Sequence, residues 1–397
     1  MKKFRVTLGI LLTAIMLTMI SLAVACTQTT TGEAKILKIG MITSVTGPMA
    51  PAFKPMLDAA KPVEDLFNNK GGINVGGQKY LIQIVSEDDK SSPPDAVSAA
   101  TKLTGEGIKF IIAPMFLANN IAIGQICEEA KAIRSVAMGI DPTVYGKDNY
   151  YHIDALASFY QIGPVYDYLK KNYPQVKKVA IIPPDDPGIV FARDYGPKEI
   201  QKRGYQIVFH EAYAVTTTDF YPIVTKALAQ KPDAIDCITS ILPWGAGIIN
   251  SAREQGFKGP IYAACMFGDI NILNSMIKPE YAYDIFCGGP DVLSDKMPAL
   301  VKEFRPLVEQ KTGAPLNMDN VNVLQALWPM IQGIEKAQSL DTDKVMAALE
   351  GMKTVQTAWG EGTWVGGDVG VLNHLIKMKS VPLTRIMNGK LEFDYLK

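Results

Sequence analysis

Paired acids, three histidines, five cysteines and a glycine-rich stretch are the residues of this chain whose types could do chemistry. Asp88-Asp89 and Asp185-Asp186 each close an apolar run, and adjacent carboxylates can divide acid and base work. In loops ahead of helices the same residues more often accept backbone N–H groups, and that capping role is the one expected here. His152, His210 and His374 stand far apart, and His210-Glu211 lacks the second histidine of a zinc-binding helix; His210 reads as the exposed end of a strand. Cys127, Cys237, Cys265 and Cys287 form no CxxC pair, so they read as buried free thiols, with a single disulfide as the alternative in an exported chain. The run GEGTWVGGDVGV at 360–371 is followed by no Lys-Ser or Lys-Thr, so it reads as turns and not as a phosphate cradle. GxSxG, HExxH, the Walker A motif and a GxGxxG after the first strand are all absent. The expectation is a protein that is not an enzyme and carries neither cofactor nor metal.

What could position a binding site is more legible. The 397 residues exceed what one core holds, because single cores stop growing at roughly 250–300 residues, so two lobes are expected. Basic and acidic residues balance at 40 each, which argues against a nucleic-acid partner. Lys2, Lys3 and Arg5 precede an uncharged run to Ala25, the pattern of a secretory signal over 1–25. An uncleaved anchor is the alternative, since about 20 apolar residues also span a bilayer. The sequence LAVAC resembles a bacterial lipobox with Cys26 as the lipidated residue, although Ala23 is smaller than the usual aliphatic there. Residues 26–35 then form a Thr-rich tether, and the body carries 37 basic against 40 acidic residues.

From residue 36, β-rich apolar runs alternate with helical ones, as in a parallel sheet with helices on both faces. Strands are expected at 36–44, 80–87, 109–115 and 134–139, and in a second series at 177–183, 205–210, 233–240, 259–267 and 284–288. Val321, Leu324, Leu327, Trp328, Ile331 and Ile334 recur at helical spacing, which places Trp328 in a core. LTRIMNGKLEF reads as two strands around an Asn388-Gly389 turn.

These residues also carry a resemblance. IGMITSVTGPMA, then NNKGGINVGG, then a strand ending EDD, followed in order by FIIAPMFLANN, KKVAIIPPDDPG and AREQGFKGPIY, resemble the periplasmic substrate-binding proteins of branched-chain amino acid ABC transporters over nearly all of 36–397. The resemblance implies the α/β type I periplasmic binding protein fold: two doubly wound open-sheet lobes joined by a three-crossover hinge. Lobe one would be 36–154 plus 289–372, and lobe two 155–288 plus 373–397. It further implies an exported monomer in the periplasm or on the outer face of the cytoplasmic membrane, lipid-anchored, whose partners are a small ligand and ABC permease subunits. Physical reasoning agrees on the site, because ligands of open α/β sheets lie outside the carboxyl ends of the strands.

This chain departs from the amino-acid binders where they hold their ligand. Their serines after the third strand fall at Phe116, Leu117 and Ala118, and their threonine after the fourth at Ile140. Their acidic partner for the ligand ammonium falls at Cys265, and their tyrosine near Leu242. Burying an ammonium without a carboxylate costs several kcal/mol, so an α-amino acid fits poorly. The expected lining is apolar: Ala52, Phe53, Met115, Phe116, Leu117, Ala118, Met138, Ile140, Leu242, Trp244, Cys265, Met266 and Phe267, with Asn119, Asn120 and Asp186 as polar anchors. Backbone N–H groups after Phe116 are a candidate anion cradle. The expected ligand is small and largely apolar, an aromatic or aliphatic carboxylate, captured by hinge closure and delivered to a permease. A branched-chain amino acid binder and a sensory ligand-binding subunit are the alternatives.

Overall fold

The computed structural model describes residues 34–139, 149–185, 190–263 and 269–396. The expected signal, the lipidation site Cys26, Ile140, Asp186, Cys265, Met266 and Phe267 lie outside them.

The chain builds two large sheets. The first takes β1 (Lys35–Thr43), β2 (Ile73–Val75), β3 (Gln78–Asp88), β4 (Phe110–Ile112), β5 (Ile133–Val136) and β6 (His152–Asp154). The second takes β7 (Lys178–Ile181), β9 (Gln206–His210), β11 (Ala234–Asp236), β12 (Ile261–Ala263) and β13 (Ile285–Cys287), while β8 (Pro184–Asp185) and β10 (Tyr213–Ala214) pair apart. The later strands divide: β14 (Val355–Thr357), β15 (Gly360–Val365) and β16 (Leu375–Met378) extend the first sheet, and β17 (Val381–Met387) and β18 (Lys390–Leu396) extend the second. Strand order is β14-β15-β16-β6-β5-β4-β1-β3-β2 in one sheet and β18-β17-β13-β12-β11-β7-β9 in the other. The residues after 372 therefore contribute to both sheets. The chain passes between sheets three times: after Asp154, after Cys287, and between Met378 and Val381.

Both sheets are parallel at their centres and covered on both faces. One face of the first sheet packs Ile39, Met41, Phe110 and Ile153 against the long helix Met318–Ala337; the other packs Ile42, Ile111 and Val136 against Ala96, Ala100 and Leu103. Such double burial is why β1 reads as an almost continuous apolar run. The second sheet is clad likewise, by Val224, Ile248 and Leu273 on one face and Val165, Leu169 and Ile200 on the other. The long helix buries Val321, Leu324, Leu327, Ile331 and Ile334 as its spacing predicts, whereas Trp328 is only half-buried at the edge of that core. A capping box of Asn317 and Asn320 starts this helix, and Gln338 ends it in the left-handed region.

Two expectations change here. The glycine-rich run at 360–371 is not all turns: its first half is the strand β15. Gly362 permits that pairing, because a Cβ there would lie 2.4 Å from the Ile376 side chain. Asp88 and Asp89 do not cap a helix: Asp88 accepts the N–H groups of Val45 and Thr46 at 2.9 and 3.2 Å, and Asp89 accepts the Ser44 hydroxyl at 2.6 Å. Together they lock the loop after β1. The Asn388-Gly389 turn is as expected, with φ values of 52° and 74° joining β17 to β18.

Candidate ligand-binding site

The described loops of interest all follow carboxyl ends of parallel strands. After β1, the helix Ala50–Asp58 presents exposed Ala52 and half-buried Phe53, whose carbonyl accepts the Thr43 hydroxyl at 3.2 Å. After β4 come half-buried Met115, Phe116 and Leu117 and exposed Ala118. After β11, the helix Leu242–Glu254 opens with half-buried Leu242 and Trp244. Trp244 stands edge-on to Tyr213, ring centroids 5.7 Å apart, and the Tyr213 hydroxyl meets the Ser240 hydroxyl at 2.9 Å. The indole is thus braced from within its own lobe while part of it stays accessible.

Other expected contacts go elsewhere. Met138 is 5 % exposed and belongs to the first core. Asn120 is no ligand anchor: its side-chain and backbone oxygens both accept from the buried guanidinium of Arg134. Asn119 is fully buried, and neither side-chain polar atom has a partner among the described residues. The helix after Phe116 spans only Leu117–Ala122, and the N–H groups of Asn119 and Asn120 already bond to the Phe116 carbonyl. That end of the helix is therefore a weak anion cradle. Asp185 is exposed and pairs with Arg193 at 3.2 Å.

The first crossover is built around a carboxyl. Asp154 is wholly buried, and its Oδ1 accepts the N–H groups of Gly139 and Leu156 at 2.8 and 3.1 Å. Gly139 also bonds through its N–H to Leu156 and through its carbonyl to Ser158, so the end of β5 is clamped to the crossing segment. Burial raises the Asp154 carboxyl to about 7, while burial and Arg134 hold His152 well below the usual imidazole range.

At the second crossover a cavity of about 20 Å³ lies among Ile270, Cys287, Gly288, Gly289, Pro290, Met318 and Trp359. Asp269 and Asp319 are the chain neighbours of the lining residues Ile270 and Met318. Each is a helix-end acid: Asp269 caps the helix Ile270–Met276, and Asp319 lies in the first turn after Asn317. A larger groove of about 690 Å³ is bordered by Lys296, Trp328 and Tyr395, and by none of the residues expected to line a cleft.

No group of three or more His, Cys, Asp or Glu side chains suited to a metal occurs among the described residues. Cys127, Cys237 and Cys287 are buried free thiols; burial raises Cys127 to about 11 and the other two further, which makes them inert. No helix among the described residues is long and apolar enough to cross a membrane.

Comparison with known proteins bears on this geometry. The Leu/Ile/Val-binding protein BraC3 of Rhizobium johnstonii is 25 % identical over 344 residues, 85 % of this chain and 89 % of that protein. In fold, the chain is similar to a branched-chain amino acid transporter substrate binding protein of Streptococcus pneumoniae in complex with isoleucine, with TM-score 0.71, 19 % identity and coverage of 91 % of this chain and 100 % of the other. A solute binding protein of an R. palustris ABC transporter in complex with benzoate gives TM-score 0.69 at 16 % identity, covering 91 % of this chain and 96 % of the other. The periplasmic binding protein family matches residues 36–378, which take in β2 to β16, nearly all of β1, the first two crossings and every described loop at the strand ends, and the chain belongs to that family.

Proposed function

We propose that this chain is the solute-binding component of an ABC importer, and that it captures a small, largely apolar aromatic or aliphatic carboxylate between its two lobes and delivers it to permease subunits. The observation that carries the reading is the placement of Phe53, Phe116, Leu117, Leu242 and Trp244 after strands of two sheets that the chain joins three times. An open form would bind ligand on one lobe, and rotation about the crossovers would bury it against the other, the closed population rising with the ligand's preference for it. Residues 1–25 act as the export signal and Cys26 as the lipid-anchored start of the mature protein; mass spectrometry of the membrane-extracted protein tests this through a diacylglyceryl-modified cysteine.

A thermal-shift panel on the body of the protein tests the ligand class. At 100 times its dissociation constant a ligand adds about 2.7 kcal/mol, enough to move a melting curve visibly. Shifts with benzoate and hexanoate but not leucine are expected. A shift with leucine alone overturns the carboxylate assignment in favour of an amino acid, the second reading, which the Leu/Ile/Val-binding relatives favour.

A further inference from the structure

Thr239, just past the carboxyl end of β11, has a φ of 59°, in the left-handed region, and among the described residues it is the one β-branched side chain there. Lys131, Lys231 and Gln338 share that region but close helices, and Asn388 turns a hairpin, settings where it is ordinary. Thr239 instead follows a strand: β11 stops at Asp236, short of the strand expected to run to 240, and Leu242 opens the next helix. A left-handed backbone presses Cβ against the following carbonyl oxygen, and a branched Cβ worsens the clash, so this residue is strained. Such strain persists only where the surroundings over-determine it.

The surroundings here do so. The Thr239 hydroxyl donates to the Ile238 carbonyl at 2.7 Å, and the next residue, Ser240, is fully buried with its N–H on the Cys237 carbonyl at 3.0 Å. The Ser240 hydroxyl meets the Tyr213 hydroxyl at 2.9 Å. Tyr213 is itself buried, and its N–H bonds to the Pro183 carbonyl at 3.0 Å, so it ties the loop after β7 to the loop after β11. Its ring packs edge-on with two others, Trp244 at 5.7 Å and Phe220 at 5.0 Å. Phe220 in turn presses on the helix Leu242–Glu254 where that helix has no side chain: a Cβ on Gly247 would lie 2.5 Å from the Phe220 ring. Trp244 therefore sits in the first turn of a helix that is pinned before it, at Ser240, and after it, at Gly247.

We propose that Thr239 and Tyr213 are positioning residues: the left-handed turn at Thr239, locked by the Tyr213–Ser240 bond, holds the Trp244 indole in its ligand-binding orientation before any ligand arrives. This rests on the reading of Trp244 as a cleft contact. A ligand then meets a side chain that is already ordered, and binding is spared the cost of ordering it. The strain is the counterpart, since a relaxed Thr239 would change the direction in which the chain enters the helix. Neither residue is visible in the sequence as a site, because Thr239 lies in a β-rich run and Tyr213 far upstream of Trp244.

Acrylamide quenching of Trp244, taken as the difference between proteins with and without Trp244→Phe, reads the indole in the ligand-free state, and titration with benzoate, hexanoate and leucine reads binding. Thr239→Gly accepts the left-handed angle without strain but no longer enforces it, so the melting temperature should stay within about 3 °C of wild type. The same variant should raise the Trp244 quenching constant about twofold and weaken whichever ligand binds by about fivefold, the order of the cost of ordering one large side chain. Tyr213→Phe, which keeps the ring and removes the hydroxyl, should move quenching and affinity in the same direction, and it decides the matter if the glycine variant is unstable. A merely structural pair would shift the melting temperature and neither of the other readouts. Wild-type quenching and affinity in both variants overturn the inference and leave the site where it is. Unchanged binding by Trp244→Ala overturns the reading of this loop and the inference with it.

Discussion

Replacing Gly139 by alanine tests whether the clamp at the first crossover is as tight as its geometry. A Cβ on Gly139 would lie 1.8 Å from Asp154 Oδ2 and 2.4 Å from its Cγ, well inside any real contact. The carboxyl cannot escape to solvent, because Asp154 is wholly buried between strands. It must shift, breaking the bonds from the Gly139 and Leu156 N–H groups at 2.8 and 3.1 Å. Leaving buried partners unsatisfied costs about 1–3 kcal/mol each, so the variant should lose about 4 kcal/mol. For a domain of 150–250 residues each kcal/mol moves the melting temperature by about 2–4 °C, so differential scanning calorimetry should record a drop of roughly 10 °C. Asp154→Ala removes the obstructing atoms. In the double variant the alanine at 139 should therefore cost far less than it does alone, a coupling above about 1.5 kcal/mol between touching residues. A Gly139→Ala protein that melts within 2 °C of wild type, or a double variant whose two costs simply add, would refute the reasoning.

Trp244→Ala should weaken binding of the cognate ligand at least tenfold by titration, while lowering the melting temperature only a few degrees, since the half-buried ring gives up mainly its edge contact with Tyr213; unchanged affinity would move the site away from this loop. The pH dependence of stability has a defined sign at Asp154, whose carboxyl sits at about 7 in the folded chain against 3.8 when free. Between those values the native state binds more protons than the unfolded chain, so this group's contribution is fully present below pH 4 and is lost as pH rises to about 7. Urea unfolding at pH 5 and pH 8 should accordingly show a smaller stability difference between wild type and Asp154→Asn at the lower pH, and an equal difference at both would remove Asp154 as the cause.

The sequence reveals strands where both faces are buried and hides them where the burial is polar or brief. β1, β7 and β11 appear as apolar runs because helices cover each side. β6 does not read as a strand because its three residues include His152 and Asp154, whose types argue for solvent although both are buried. β15 reads as turns because its glycines serve close pairing with β16, which no local pattern announces.

The candidate site divides along the same line. Topology alone points to the loops after β1, β4 and β11, since parallel strands aim their carboxyl ends at one edge. Which side chains leave the core at that edge depends on packing from elsewhere: Met138 turns inward, and Asn120 is claimed by Arg134, fourteen residues along the chain. Arg134 has the residue type of a surface cation, yet it is 1 % exposed and its guanidinium holds Asn120, so which side chains remain free at the strand ends is set by partners that no single stretch of sequence contains.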